Sequence, residues 1–196
     1  MGERARIPGT DLAGFQGGLL RLAIRRKLGA VPQSISVMWN HPAVFKDLMR
    51  MGRRMDKWGR LDEGLASLAV MAAAAEIGCH ACLDLNYFLA HDRGLDPAKA
   101  REVPRWREST VFAPIERQVL EYSEAVCQTP PAVTDDLSAA LLAELGADGL
   151  IELTARIGFM NLSARMNISL GIGSEHFADS CGLPPIAARP TSAPAP

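Results

Sequence analysis

The chain has 196 residues, 48% of them hydrophobic and 22% charged, with a formal net charge of −1. This composition predicts one globular domain with a substantial core. The near-neutral charge gives no electrostatic basis for binding nucleic acid or an acidic membrane surface. The first residues, MGERARIPGTD, lack the apolar stretch of a secretion signal, and the longest apolar run, residues 65–75, is too short to span a bilayer. We therefore expect a cytoplasmic protein without nucleic-acid or membrane partners.

Apolar residues recur at helical spacing along almost the whole chain, and the sequence has no alternating strand pattern of useful length. We therefore predict an all-α fold. The predicted helices, in chain order, are GFQGGLLRLAIRRKLGAVP, NHPAVFKDLMRMGRRMDKWG, LDEGLASLAVMAAAAEIG, a helix from about Cys79 to His91, DPAKAREV, FAPIERQVLEYSEAVC, TDDLSAALLAELG and DGLIELTARIGFMNLSARMNISLGIG. The third is apolar on nearly every side, which indicates a central, buried helix.

Capping residues mark several of these boundaries. Pro42 suits the first position of a helix, and Asp96 and Thr134 carry side-chain oxygens that can cap a helix N-terminus. Gly78 suits the left-handed residue that ends the central helix. The next helix is therefore expected to begin at or near Cys79.

We assign residues 1–183 to a single helical domain with its core at about 34–181. Residues 184–196 are rich in proline and poor in bulky apolar side chains, so we predict a disordered tail. Central helices as apolar as these are expected to be covered in part by another copy of the chain. We therefore predict a homodimer or a higher symmetric assembly.

The segment AEIGCHACLDLN places Cys79 and Cys82 three residues apart at the predicted start of a helix, and Asn86 shares their face. Unpaired N–H groups at the helix N-terminus favour a thiolate at Cys79. Cys82, one turn later, is within reach of a disulfide. Such a dithiol can reduce a peroxide or a disulfide. The nearby groups that can move a proton are His80 and Glu76.

The same pair could instead be two small buried core residues without chemistry. A zinc site would need two further ligands at regular spacing. The remaining cysteines and three of the histidines are scattered: Cys127, Cys181, His41, His91 and His176. Haem attachment would need a histidine after the second cysteine, where the chain has Leu83. We therefore expect no metal and no cofactor.

The residues around the pair resemble the carboxymuconolactone decarboxylase/AhpD-like alkylhydroperoxidase superfamily. The similar core is LAVMAAAAEIGCHACLDLN, an alanine-rich helix, a glycine and then C-x-x-C opening the next helix. The upstream segment HPAVFKDLMRMGRRMDKWGRLDEGL and three downstream segments extend the similarity to residues 34–181. The resemblance implies an all-helical, self-associating fold and, in AhpD-like members, a cysteine-based peroxidase or disulfide reductase.

The resemblance also implies a proton relay from a glutamate on the preceding helix and a histidine four residues after the second cysteine. This chain has Ser67 and Asn86 at those positions. Asn86 can hydrogen-bond but cannot relay a proton at neutral pH. A relay rebuilt from Glu76 and His80, a weak peroxidase and an electron-transfer role all remain open. So does the order of the cysteines, because the family assigns peroxide to the second while helix-end physics favours Cys79.

The last predicted helix carries Thr154, Gly158, Asn161 and Arg165 as a narrow polar stripe, with Asn167 off it. The stripe could be a hydrogen-bonded seam between helices or subunits. It could also orient an anionic substrate, with Arg165 and Asn161 as the binding residues.

Our main hypothesis is an AhpD-like thiol oxidoreductase that reduces hydroperoxides or a protein disulfide through a Cys79/Cys82 dithiol–disulfide cycle. Its partners would be a hydroperoxide or other small molecule and an electron-donor protein or thiol. A non-redox decarboxylase or lactone-processing enzyme, with Arg165 and His80 near the substrate, is one alternative. A non-catalytic helical oligomer with a vestigial or redox-sensing dithiol is the other.

Overall fold

The computed structural model describes residues 5–190, and every regular element in that range is helical. This confirms the all-α prediction. The α-helices are α1 (Gly14–Leu28), α2 (Gln33–Met38), α3 (Pro42–Met55), α4 (Glu63–Ile77), α5 (His80–Asp92), α6 (Pro97–Ala100), α7 (Pro114–Cys127), α8 (Asp135–Ser169) and α9 (Phe177–Ser180). A 3-10 turn, Val103–Arg105, follows α6. None of these helices is long and apolar enough to cross a membrane.

Helix α4 is the centre of the fold, as its uniformly apolar sequence predicted. It packs against α5, α7 and α8. Leu68, Met71 and Ala73 are fully buried on it. Its many alanines let the neighbouring helices approach closely. The start of α5, with the cysteine pair, is therefore anchored to the most buried element of the molecule.

Local capping sets the helix boundaries around the pair. The Asp62 carboxylate accepts the Leu65 N–H at the start of α4, over 3.0 Å. Gly78 ends the helix in the left-handed conformation, with φ 80° and ψ 25°, as predicted. Cys79 follows as the N-cap residue of α5. The predicted caps of Asp96 and Thr134 are present as well.

The two helices predicted on either side of Gly146 form one long element, α8. Gly146 itself has φ 70° and ψ 172°, so the helix is interrupted there. Its missing Cβ permits that conformation. The predicted boundary is therefore present as a break inside α8 and not as a loop.

The sequence did not predict α2 and α9. Both are short, six and four residues long, and such helices owe their stability to tertiary contacts more than to local propensity. The Asp84 carboxylate on α5 accepts the Phe177 and Ala178 N–H groups of α9 over 2.9 and 3.0 Å. The Gln33 N–H at the start of α2 donates to the Glu175 carboxylate over 2.5 Å.

A second, smaller cluster of buried side chains holds the N-terminal helices together: Leu12, Ile24, Trp39 and Phe45. Trp39 and Phe45 meet edge to face, with ring centroids 5.5 Å apart. This cluster is separate from the main core around α4. A large cavity lies between α1–α3 and the helices α4, α5 and α8.

Residues 184–190, the part of the predicted tail that the structure describes, lie against the helices. The Tyr87 hydroxyl donates to the Pro184 carbonyl over 3.0 Å, and the Ala187 N–H donates to the Arg101 carbonyl over 2.9 Å. We call residues 184–190 the C-terminal segment. The remainder of the predicted tail, 191–196, lies outside the described residues.

Several large apolar side chains are exposed on α1 and α8, among them Phe15, Leu22, Ile151 and Leu162. Exposed apolar groups of this size are common at contacts between subunits. The homodimer or higher assembly stays a prediction.

Candidate active site

The two cysteines are bonded to each other at the start of α5, with their Cα atoms 5.2 Å apart. Cys79 is the N-cap residue, and its sulfur accepts the Cys82 N–H over 3.2 Å. Both residues are buried, with exposed fractions of 2% and 4%. The predicted helix start therefore brings the pair together by a single turn of backbone.

The Cys82 sulfur has a partner from a distant helix. The Asn167 side chain on α8 donates its Nδ2–H to the Cys82 Sγ over 3.3 Å. Asn86, at the position of the family's relay histidine, donates to the Cys82 carbonyl over 2.7 Å. It therefore supports the backbone of Cys82 and makes no hydrogen bond to its sulfur.

Both amides also line the large cavity beside α3, which has a volume of about 630 Å³. We call it the apolar cavity. Its wall is largely aliphatic and methionine-rich, and its lining includes Met38, Met49, Gly52, Arg53, Val70, Asn86, Met160, Met166 and Asn167. Volumes of about 300 to 1,000 Å³ with a few polar groups are usual for small-molecule sites.

Cys79 faces the other way. It lines a cleft of about 650 Å³ together with His80, Asp84, His176 and Arg189. We call this the polar cleft. Cys79 and His80 also line a smaller cleft of about 430 Å³ beside Arg6. Cys79 therefore borders the polar cleft, whereas Asn86 and Asn167, the neighbours of Cys82, border the apolar cavity.

The C-terminal segment forms one wall of the polar cleft. Arg189 donates to the Ala75 and Glu76 carbonyls, both over 3.1 Å, and its guanidinium pairs with the Glu76 carboxylate. Glu76, one of the predicted relay groups, is therefore engaged by Arg189. His80, the other, is exposed at the first position of α5. The structure has no hydrogen bond between their side chains in the part of the chain it describes.

Ser67 occupies the position of the family's relay glutamate on α4. It is 2% exposed, and its hydroxyl has no hydrogen-bond partner within residues 5–190. A serine hydroxyl does not ionise at neutral pH and cannot act as the glutamate would. The sequence departure is therefore not compensated at this position.

Asp84 holds the far wall of the polar cleft in place. It is 7% exposed, and besides the two α9 N–H groups its carboxylate accepts the Ser174 hydroxyl over 2.8 Å. Three hydrogen bonds satisfy a buried carboxylate. Asp84 is therefore a structural residue, and it fixes the loop that carries His176.

The predicted substrate-binding residues lie elsewhere. Arg165 donates to the Asn161 side chain over 2.6 Å, and to the Cys127 carbonyl and the Thr129 hydroxyl over 3.3 and 3.2 Å. Thr154, on the same stripe, bonds the Tyr122 hydroxyl over 2.8 Å. The stripe is thus a seam between α8 and α7. Neither Arg165 nor Asn161 lines any of the three cavities around the cysteine pair.

The other two thiols are not part of this arrangement. Cys127 is buried at the end of α7, and burial raises the pKa of its thiol to about 11. Cys181 is exposed and unbonded. Within the described range, no group of three or more His, Cys, Asp or Glu side chains is placed to hold a metal ion.

Sequence reasoning missed Asn167 and Arg189. Asn167 lies 85 positions from Cys82, and Arg189 lies 113 from Glu76. No periodic pattern connects residues so far apart. The only available signal was negative, since Asn167 falls off the polar stripe of its helix.

Sequence comparison matches residues 42–125 to the carboxymuconolactone decarboxylase family. The chain is 36% identical to the uncharacterized protein YnjA of Escherichia coli (strain K12) over 152 residues, which cover 77% of this chain and 84% of that protein. The matched family region contains α3, α4, α5 and most of α7.

Two solved structures have a similar fold. One is a cysteine-to-alanine variant of the debrominase Bmp8 in complex with 2,3,4-tribromopyrrole, with a TM-score of 0.78, 15% identity and coverage of 92% of this chain and 97% of that one. The other is the alkylhydroperoxidase AhpD core of an uncharacterized peroxidase-related protein from Ralstonia eutropha JMP134, with a TM-score of 0.77, 22% identity and coverage of 88% and 94%. The chain therefore belongs to the carboxymuconolactone decarboxylase family and has the helical AhpD-like fold, as its C-x-x-C segment and the alanine-rich helix before it had indicated.

Proposed function

We propose that this protein is a thiol oxidoreductase that reduces organic hydroperoxides by cycling Cys79 and Cys82 between dithiol and disulfide. The observation that carries the proposal is the bonded pair at a helix N-terminus, with Cys79 in the wall of the polar cleft and Cys82 hydrogen-bonded to Asn167 in the wall of the apolar cavity. Family membership supports it, because AhpD-like members use such a pair. The assignment of a role to each cysteine rests on what surrounds each sulfur.

Reduction of the disulfide begins at Cys79, because Cys79 lines the polar cleft. A thiolate of an external dithiol, either a protein or a small molecule, attacks the Cys79 sulfur and breaks its bond to Cys82. The Cys82 thiolate that leaves is stabilised by the Asn167 N–H. The second thiol of the donor then displaces Cys79, which leaves the donor oxidised and the pair reduced.

Oxidation takes place at Cys82. Its thiolate attacks the terminal oxygen of the hydroperoxide, so the O–O bond breaks and a sulfenic acid forms, while the alkoxide takes up a proton and leaves as an alcohol. The Cys79 thiol then attacks the sulfenic sulfur and expels water. The net reaction converts one hydroperoxide and one dithiol into an alcohol, water and a disulfide. The alkoxide takes its proton from water, whereas His80 lines the polar cleft and can protonate the Cys79 thiolate when the donor dithiol displaces it.

A single-turnover experiment tests this cycle. Protein reduced with dithiothreitol and desalted is mixed with cumene hydroperoxide, and peroxide consumption and disulfide formation are followed by stopped flow and peptide mass spectrometry. We expect a bridge between residues 79 and 82. Cys82→Ser should lose at least about 100-fold in rate, because the nucleophile is gone. Cys79→Ser should stop after one turnover with a sulfenic acid on Cys82 that dimedone traps.

Cys127→Ser is the control and should behave as wild type. Peroxide consumption no faster than that of free cysteine would contradict the proposal and favour the non-catalytic oligomer. A sulfenic acid on Cys79 in the Cys82→Ser variant, with full wild-type rate, would reverse the two roles.

Reductive dehalogenation is a second candidate, favoured by the apolar cavity beside Cys82 and by the fold shared with the debrominase Bmp8. In that reaction an aryl bromide and the dithiol would give the arene, HBr and the Cys79–Cys82 disulfide. Bromide release from a bromopyrrole by the reduced protein, absent in Cys82→Ser, would support it. Peroxide consumption without bromide release would exclude it.

The non-redox alternative finds less support. It placed Arg165 and His80 around one substrate. His80 lines the polar cleft, whereas Arg165 donates hydrogen bonds to the Cys127 carbonyl and the Thr129 hydroxyl at the end of α7. Those two side chains share none of the cavities at the pair.

A further inference from the structure

The apolar cavity is much larger than a small peroxide needs. Its volume of about 630 Å³ is many times that of hydrogen peroxide, since a water-sized molecule occupies about 30 Å³. Its wall includes the flexible side chains of Met38, Met49, Met160 and Met166. Methionine adapts its shape to irregular apolar partners. The cavity is therefore suited to a long or bulky apolar group.

The cations of this cavity differ in their pairing. Arg93 pairs with Asp56 over 3.1 Å, and Arg156 pairs with Glu152 over 2.8 Å. Arg53, on α3, has no ion pair anywhere in residues 5–190. It is exposed and also borders a neighbouring surface groove. Arg53 is therefore a cation at the mouth of the cavity whose charge is available to a ligand.

The inner wall has the opposite character. Asn86 and Asn167 are half-buried there and carry no charge. Asn167 bonds the Cys82 sulfur, so the reacting atom lies directly behind this wall. Between this wall and Arg53 the lining is mainly aliphatic.

We propose that the apolar cavity binds an amphipathic organic acid, with its carboxylate on Arg53 and its apolar chain among the methionines. The substrate class is then the hydroperoxide of a long-chain carboxylic acid. The reaction at the cysteine pair rests on the proposed function. The guanidinium forks onto the carboxylate, and the hydroperoxyl group on the chain meets Cys82. Oxygen transfer to Cys82 leaves the corresponding hydroxy acid, water is expelled when Cys79 closes the disulfide, and an external dithiol restores the pair.

Binding is tested on the oxidised protein as purified, which separates it from catalysis. The probe is cis-parinaric acid, a fluorescent fatty acid, displaced by linoleic acid or by its methyl ester. We expect linoleic acid to displace it and the uncharged ester to compete at least about tenfold less well, since one charge-assisted contact is lost. Arg53→Gln should weaken binding of the acid by about tenfold and remove its advantage over the ester.

Arg54→Gln is the matched control. Arg54 is the next residue on α3, is exposed and does not line the cavity, so this variant should bind like wild type. Equal loss in both variants would overturn the inference, because it would show a non-specific effect of positive charge. Absence of binding in a protein that sedimentation shows to be a dimer would also overturn it, in favour of a second copy covering the cavity.

Catalysis is measured separately with linoleic acid hydroperoxide and cumene hydroperoxide. Arg53→Gln should lower kcat/KM for the acid by about tenfold and leave cumene hydroperoxide within about twofold. Consumption of both hydroperoxides without any fatty-acid binding would overturn the cavity inference and leave the proposed function standing. Fatty-acid binding that depends on Arg53, with no peroxide consumption, would overturn the proposed function and support the cavity as an acid-binding site.

Discussion

The two cysteines differ less in their own exposure than in what lies beyond them. On the Cys79 side the polar cleft is lined by charged and titratable groups, among them His80 and Arg189, and one wall is the C-terminal segment. On the Cys82 side the apolar cavity has a mainly aliphatic and methionine-rich wall, which also carries two amides and four charged side chains: Asn86, Asn167, Arg53, Asp56, Arg93 and Arg156. In the proposed cycle, the reducing dithiol approaches from the polar cleft and the hydroperoxide from the apolar cavity.

The largest expected difference in reactivity is between the two thiols outside the pair, Cys127 and Cys181. Burial raises the pKa of Cys127 from 9.0 to about 11, so its thiolate fraction at pH 8 should be about 100-fold below that of an unperturbed thiol. Iodoacetamide should label exposed Cys181 quickly and Cys127 very slowly, as read by peptide mass spectrometry.

The labelling rate of Cys127 should increase with pH, because only the thiolate reacts. Labelling of Cys127 should rise about tenfold for each pH unit and level off near its raised pKa. Fast labelling of Cys127 at pH 8 would mean that the end of α7 opens in solution, and thiol counting would then need the Cys127→Ser background.

A bulky side chain in the apolar cavity should slow the reaction of organic hydroperoxides at Cys82 and leave the Cys79 side unchanged. A Cβ on Gly52 would meet nothing within 4 Å, so Gly52→Phe can direct its ring into the cavity without a backbone clash. We expect the rate with cumene hydroperoxide to fall at least about tenfold, because a misplaced substrate loses the near-attack geometry. The rate with hydrogen peroxide should change by less than about twofold.

Gly158→Phe is the control, since Gly158 also has open space at its Cβ and does not line the cavity. If Gly52→Phe slows both oxidants equally, the cavity is not the route of the organic substrate. If it slows neither, the substrate reaches Cys82 from the polar cleft.

Asn167→Ala removes the hydrogen bond to the Cys82 sulfur. A hydrogen bond to a thiolate is worth about 1.5 to 3 kcal/mol, so we expect Cys82 alkylation and peroxide consumption to slow by at least about tenfold. The pH profile of Cys82 alkylation should move to higher pH, because the thiolate loses a donor. An unchanged profile with slower turnover would mean that Asn167 positions the substrate and does not stabilise the thiolate.

The smallest expected effect lies on the Cys79 side. Arg189→Gln removes the ion pair with Glu76 and loosens the C-terminal segment. An exposed ion pair contributes about 0.2 to 1 kcal/mol, so reduction of the disulfide by dithiothreitol should accelerate by at most about threefold to fivefold. The peroxide step should not change. Arg189→Lys keeps the charge, so its rate of disulfide reduction should lie between those of the wild type and Arg189→Gln.

Much of the local structure could be predicted from the sequence. Gly78, Asp96 and Thr134 act within one turn of their own helix, so their effect can be read from neighbouring letters. Segments without such signals, α2 and α9, were missed. Helix α9 depends on Asp84, which lies 93 residues before its first residue.

The candidate site divides in the same way. The spacing of Cys79 and Cys82 and the glycine before them predicted two cysteines within disulfide reach at a helix start, because one turn of helix fixes that geometry regardless of the rest of the chain. The proposed relay of Glu76 and His80 needed a contact between two elements, and there the structure pairs Glu76 with Arg189. Whether Arg165 could reach a substrate likewise depended on which elements pack against its side of α8.

The sequence by itself therefore determined most of the helices, the family and the closeness of the two cysteines, because all three depend on short-range patterns. Only the tertiary structure decided that Asn167 reaches Cys82, that Arg53 borders the apolar cavity, and that the C-terminal segment lines the cleft on the Cys79 side. Those features arise where helices from distant parts of the chain meet. Their geometry is fixed by packing around α4, which no local pattern encodes.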